Sequence, residues 1–188
     1  MDEDTELFLA LKKGNNLAFS KLFHKYYPKI VNLIYRFLSD DKKDVEDLAQ
    51  EIFCRVYFGA HTFSPQAKFS TWLYKVAVNR CLSHYHKIKR GKEGHQHDDN
   101  KTQNFENHPS SINSPDTQII QEELHQEIQV ALDKLPPDQK MALILLEYAG
   151  LSYQEIARIS GTSVKAVERR IYHARQKLKE VLTPYISS

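Results

Sequence analysis

The chain has 188 residues, 27% of them charged and 41% hydrophobic, with a net charge of +2 at neutral pH. That length suits one ordinary domain or two small ones, and six glycines and seven prolines exclude the collagen-like and low-complexity classes. No apolar run approaches the roughly 20 residues that span a bilayer, so no membrane insertion is expected; the acidic opening MDEDTELFLA is unlike a signal peptide, and Cys54 and Cys81, with no metal or disulfide spacing, fit a reducing cytoplasm.

Almost every periodic stretch has the helical period, which predicts an all-α fold. Thr5 to Lys13 reads as a short helix ending at Gly14. Leu17 to Leu38 follows, with Pro28 as an expected kink or break. Asp44 is expected to cap a third helix that runs to about Phe58 and stops at Gly59. Its apolar stripe is Val45, Leu48, Ile52 and Val56. Asp47, Gln50, Glu51 and Arg55 are left toward solvent, with Phe53 beside them. Gly59 to Lys68 reads as a loop that could present His61, Phe63 or Ser64 to an unstacked base. The fourth helix is predicted from about Ser70 to Lys89, stopping before Gly91.

That helix carries the only tryptophan of the chain. Ala77, Cys81, Tyr74, Val78, Tyr85 and Ile88 share one apolar arc, and Trp72, Lys75, Asn79, Ser83, His86 and Arg90 share the other. Six basic residues lie between Lys75 and Lys92 with no acid among them. A basic groove with an aromatic ring suits single-stranded nucleic acid, because stacking a base on the ring is worth roughly 1–3 kcal/mol in any sequence. Trp72 either takes that role or packs against another helix of its own domain.

Residues 1–90 carry an excess of five positive charges, whereas residues 91–120 carry an excess of three negative ones. The stretch 91–116 is polar and rich in Asn, Ser and His. It buries too little apolar surface to offset ordering, and is read as a flexible acidic linker between domains 1–90 and 117–188. His95 and His97 within it lack ordered partners for a metal, so neither metal nor cofactor is expected.

Beyond it, Thr117 to Leu135 reads as a helix closed by Pro136–Pro137, and Gln139 to Tyr148 as another ended by Gly150. "LSYQEIARISGTSVKAVERRIYHARQKLKE" then fits a helix–turn–helix. Ser152 and Glu155 can form a capping box, Ala157 is small where helices cross, and Gly161 sits at the turn. Ser163 can cap a second helix whose seam is Val164, Val167, Ile171, Ala174 and Leu178. Seven basic residues and one acid lie between Arg158 and Lys179. The best candidates for base contact are Ser163, Lys165, Ala166, Arg169 and Arg170 at the end that enters a major groove; Arg175, Lys177 and Lys179 meet phosphates or solvent.

Four stretches in this order resemble a sigma-70 family RNA polymerase sigma factor of the compact extracytoplasmic-function group: "LKKGNNLAFSKLFHKYYPKIVNLIYRFL", "DVEDLAQEIFCRVY", "FSTWLYKVAVNRCLSHYHKIKR" and "LDKLPPDQKMALILLEYAGLSYQEIARISGTSVKAVERRIYHARQKLKE". The resemblance covers nearly everything except the linker. It implies that 1–90 binds the beta-prime coiled coil of core polymerase, through Asp47, Gln50, Glu51, Phe53 and Arg55. It implies that the same domain opens the minus-ten element of promoter DNA, through His61, Phe63, Ser64, Trp72, Lys75, Asn79 and Arg80. It implies that 117–188 reads the minus-thirty-five element and meets the beta flap, and that an anti-sigma factor masks these surfaces. One tryptophan with few neighbouring aromatics implies stringent promoter choice. No nucleophile–base spacing, phosphate loop or metal box points to an enzyme. The competing reading is a stand-alone helix–turn–helix regulator, which would bind duplex tightly without polymerase.

Overall fold

A computed structural model of the chain describes residues 2–38, 42–64, 66–93 and 127–186. Helix α1 spans Glu3–Lys12. Asp2 caps it, accepting from the Thr5 amide at 3.1 Å. Glu3, Asp4 and Glu6 place negative charge at its positive dipole end. The chain turns at Gly14, whose φ of 91° suits a residue without Cβ. Asn15 then accepts from the Ala18 amide at 3.3 Å to open α2, Asn16–Leu38.

Pro28 neither breaks α2 nor ends it. Its ring lies on the exposed side, where the carbonyl that loses its amide partner can meet water. The buried residues Leu22, Tyr26, Ile30, Leu33, Ile34 and Phe37 hold both halves of the helix to the core. Helix α3, Lys42–Phe58, begins ahead of Asp44, which therefore sits in the first turn and is not the cap. The expected stripe of Val45, Leu48, Ile52 and Val56 is buried, joined by Ala49 and Phe53. A 3-10 turn, Gly59–Thr62, leads into the loop before α4, Phe69–Glu93. Helix α4 runs through Gly91, where a helical glycine costs only about 1 kcal/mol relative to alanine. Residues 91–93 thus continue a helix rather than start the linker, and the rest of that expected linker lies outside the described residues, with His95 and His97.

In the second half the described part of α5 covers 127–133. Helix α6, Pro137–Glu147, starts two residues earlier than expected, because proline suits the first helical turn. Helix α7, Tyr153–Ser160, shows the complete Ser152–Glu155 capping box. Hydrogen bonds from the Ser152 amide and hydroxyl hold the Glu155 carboxyl below its usual range. Gly161 takes the left-handed conformation, φ 62°, and lets the Thr162 amide return to the Ala157 carbonyl at 3.0 Å. Helix α8 spans Val164–Ile186 and buries Val167, Ile171 and Ala174.

The two helical bodies are packed against each other, α6 on α2 and α7 on α4. Their buried apolar residues form one continuous cluster. At this junction the Gln129 amide donates to the Arg36 carbonyl at 3.1 Å. The Arg36 guanidinium lies 3.7 Å from the centre of the Tyr148 ring, a cation–π contact. Lys140, almost wholly buried, sits over Phe37 and pairs with Asp133. No described helix is long and apolar enough to cross a membrane.

Candidate nucleic-acid interface

The first surface is the loop before α4 together with that helix. Lys75 and Asn79 are exposed on α4, and His61 and Ser64 are exposed in the loop. The other three candidates behave differently. Phe63 is 3% exposed, its ring meeting Phe8 edge-on at 5.1 Å. It cannot receive a base in this conformation, because α1 covers it. Trp72 is half-buried, 5.2 Å from Phe8 and 5.7 Å from Phe63. Trp72 shares its arc with the exposed Lys75 and Asn79, yet α1 and the loop close over the start of α4 and cover the arc at Trp72 alone of these three. Arg80 reaches back to Glu51 on α3.

The second surface is α3. Asp47, Gln50 and Arg55 are exposed as expected. Phe53 is not available there: it is 3% exposed, wedged against Phe23 at 4.9 Å and Tyr27 at 5.8 Å. The exposed apolar groups near this helix are instead Tyr57, Phe58 and, from α2, Leu17. Sequence periodicity missed them because they fall at element ends, where the helical period no longer assigns a face. Glu51 binds Arg55 at 3.0 Å and also Arg80, so it joins the α3 face to the α4 face.

Partial burial pushes the Glu51 carboxyl up, but the bonds from Arg80 and Arg55 outweigh it and hold the group below its usual range. A lowered folded value makes the contribution complete above the unfolded value and lost as pH falls through the folded one. Glu51→Gln is therefore expected to lower stability at pH 7 by no more than about 1 kcal/mol, since the pair is well solvated. Thermal melts across pH should show the gap between wild type and variant closing below about pH 4.

The third surface is the start of α8. Ser163 caps it, accepting from the Ala166 amide at 3.2 Å. Ser163, Lys165 and Arg169 are exposed, and Ala166 is half-buried. Arg170 donates to Asp138 of α6 at 2.8 Å, and Arg175 to Glu147 of α6 at 2.6 Å. The basic face thus divides into cations turned outward and cations engaged with α6. Tyr172, one turn beyond Arg169, is 59% exposed and extends the outward ridge. Of the cysteines, Cys81 is a core residue whose thiol burial pushes up to about 12, and Cys54 is exposed on α3.

This arrangement has clear counterparts. Residues 22–91 match the family model for Sigma-70 region 2, and residues 125–178 the model for Sigma-70, region 4. The RNA polymerase sigma-H factor of Pseudomonas aeruginosa is 31% identical, over 98% of this chain and 96% of its own length. The ECF RNA polymerase sigma-E factor of Escherichia coli K12 is 33% identical, over 97% of this chain and 96% of its own. The fold is shared with CnrH, solved in complex with the cytosolic domain of CnrY (TM-score 0.74, 24% identity, covering 97% of this chain and 99% of that one). It is shared as well with the sigma factor RpoE of Bartonella quintana, solved with the anti-sigma factor NepR (TM-score 0.68, 24% identity, covering 88% and 96%).

Proposed function

Because the chain belongs to the sigma-70 family of RNA polymerase sigma factors, in its extracytoplasmic-function group, we propose that it directs core polymerase to a specific set of promoters and starts transcription there. It acts by binding, without a reaction of its own, wherever polymerase and promoter DNA are found, in the cytoplasm. The observation that carries this reading is the presence of both matched halves in one chain, each with an outward polar face: Asp47, Gln50 and Arg55 on α3, and Ser163, Lys165 and Arg169 at the start of α8.

In this reading the α3 face meets the beta-prime coiled coil of the polymerase. Lys75 and Asn79 hold the minus-ten strand, and His61 and Ser64 face a base taken out of the stack. Phe63 and Trp72 build the platform beneath the loop, and Arg80 ties that platform to α3 through Glu51. The start of α8 enters the major groove of the minus-thirty-five element, where an arginine bonds guanine edges bidentately. The beta flap takes the second half, and an anti-sigma factor covers the same polar faces when transcription is off.

The packed arrangement has a consequence for promoter binding. The two elements lie about two helical turns apart, roughly 70 Å. Contacts of α6 on α2 and α7 on α4 must part for both to be reached together. The chain between residues 93 and 127 is long enough, at about 3.3 Å per extended residue. The deciding experiment is transcription with purified chain, core polymerase and a genomic template library. Start sites that move when the chain is added support the reading; failure to bind core polymerase or to shift any start site overturns it. Tight duplex binding without polymerase would instead indicate the stand-alone regulator.

A further inference from the structure

Helix α1 lies outside the stretch matched to Sigma-70 region 2, which begins at residue 22. It packs chiefly on α2, where Asp4 binds Lys25 and Tyr26, but three further side chains, Thr5, Phe8 and Lys12, reach Phe63 or Phe69. The Phe69 amide donates to the Thr5 hydroxyl at 3.0 Å. That hydroxyl donates its own proton to Asp2 at 2.8 Å, so its lone pair is aimed at Phe69. Thr5 is 1% exposed. One turn on, the Phe8 ring lies 5.1 Å from Phe63, 4.6 Å from Phe69 and 5.2 Å from Trp72. One turn further, the Lys12 ammonium donates to the Phe63 carbonyl at 3.2 Å. Residues 5, 8 and 12 share one helix face about 10 Å long.

Phe63 and Phe69 are thereby both fastened to α1, while the described residues Ser64, Gln66 and Lys68 of the arch between them are exposed. An arch fixed at both ends loses little further freedom when a base binds it. We propose that α1 is a brace that sets the shape of the base-reading arch, with Thr5 and Lys12 as positioning residues for selection of the minus-ten base. The proposal rests on the promoter-reading role given above. A loosened arch would still bind DNA but would distinguish bases less well.

The test uses holoenzyme reconstituted with core polymerase and four templates pre-melted over the minus-ten element. They differ only at the most selective base of that element. Transcript yields give the spread between best and worst base. Lys12→Met and Thr5→Val are expected to shrink the spread about tenfold, the scale of one well-placed hydrogen bond. Lys12→Arg and Thr5→Ser, which keep the donor or the hydroxyl, should restore it. Core affinity and selectivity for the minus-thirty-five element should stay at wild-type values. A loss of folded molecules lowers all four templates by one factor. So does the loss of a phosphate contact, which also lowers the salt dependence. Uniform loss in Lys12→Met, or an unchanged spread in both variants, overturns the brace. Lys12 is exposed, so its variant keeps the test open should Thr5→Val fold poorly. A selective wild type with unaltered variants overturns the brace alone. A wild type that directs no transcription overturns the sigma-factor role and the brace with it.

Discussion

Phe8→Ala is expected to destabilise the chain by about 3–5 kcal/mol, the usual cost of removing a buried aromatic ring. Phe8 is 0% exposed. Among the described residues it is the one ring that touches Phe63, Phe69 and Trp72 together. Part of the loss is transfer of the ring to water, and part is the cavity left among side chains that cannot all collapse into it. The edge-on contact with Phe63 adds about 0.5–1.5 kcal/mol beyond area. Against a typical total of about 5–15 kcal/mol this is a large share. At about 2–4 °C per kcal/mol for a chain of this length, Tm should fall by roughly 10 °C. Phe8→Leu keeps most of the volume and should cost less than half as much. Melts followed by circular dichroism decide the matter. A drop of less than about 1 kcal/mol for Phe8→Ala would mean that α1 does not close this core.

Much of the architecture is readable along the chain because it depends on neighbours three and four residues apart. The Ser152–Glu155 box, the left-handed Gly161 and the α8 seam through Val167, Ile171 and Ala174 are all local, and all form as expected. The α3 stripe is of the same kind. The misreadings share a different cause. A helical wheel ranks the faces of one helix but does not say which other helix covers a second face. Phe53 lies beside the polar face of α3, yet Phe23 and Tyr27 of α2 reach over it. Trp72 and Phe63 look available until α1 is laid across them. Arg80 and Glu51 stand 29 residues apart and belong to different candidate surfaces, so nothing in either local pattern announces their bond. The docking of the two halves is less legible still. The Arg36 guanidinium on Tyr148 and Gln129 on the Arg36 carbonyl join residues separated by the whole interval between the bodies. Pro28 shows the opposite case, a strong local signal overruled by a buried seam that continues on both sides of it.

The same separation of local pattern from tertiary partner makes two adjacent arginines unequal. Lys165, Arg169, Arg170 and Arg175 read as one basic face. Arg170 is held by Asp138 at 2.8 Å with a side chain 29% exposed, and among the described residues Arg169 makes no ion pair. Arg169→Ala is therefore expected to cut transcription from promoters with the cognate upstream element by about ten- to a hundredfold, the worth of one bidentate guanine contact. Tm should not move, because among the described residues no ion-pair partner is left behind. Arg170→Ala should show the reverse balance. Its loss removes a partly solvated pair, worth up to about 1 kcal/mol of stability. Its effect on recognition should be several-fold smaller, since in the wild type binding DNA would first require release from Asp138. Asp138→Ala frees Arg170 and should strengthen non-specific duplex binding at low salt, with a steeper salt dependence from the added cation. Fluorescence anisotropy on upstream-element duplexes with holoenzyme, paired with melts of the free chain, separates these outcomes. Equal recognition losses at Arg169 and Arg170, with no change in Tm at either, would show that the Asp138 pair does not govern which arginine reads the groove.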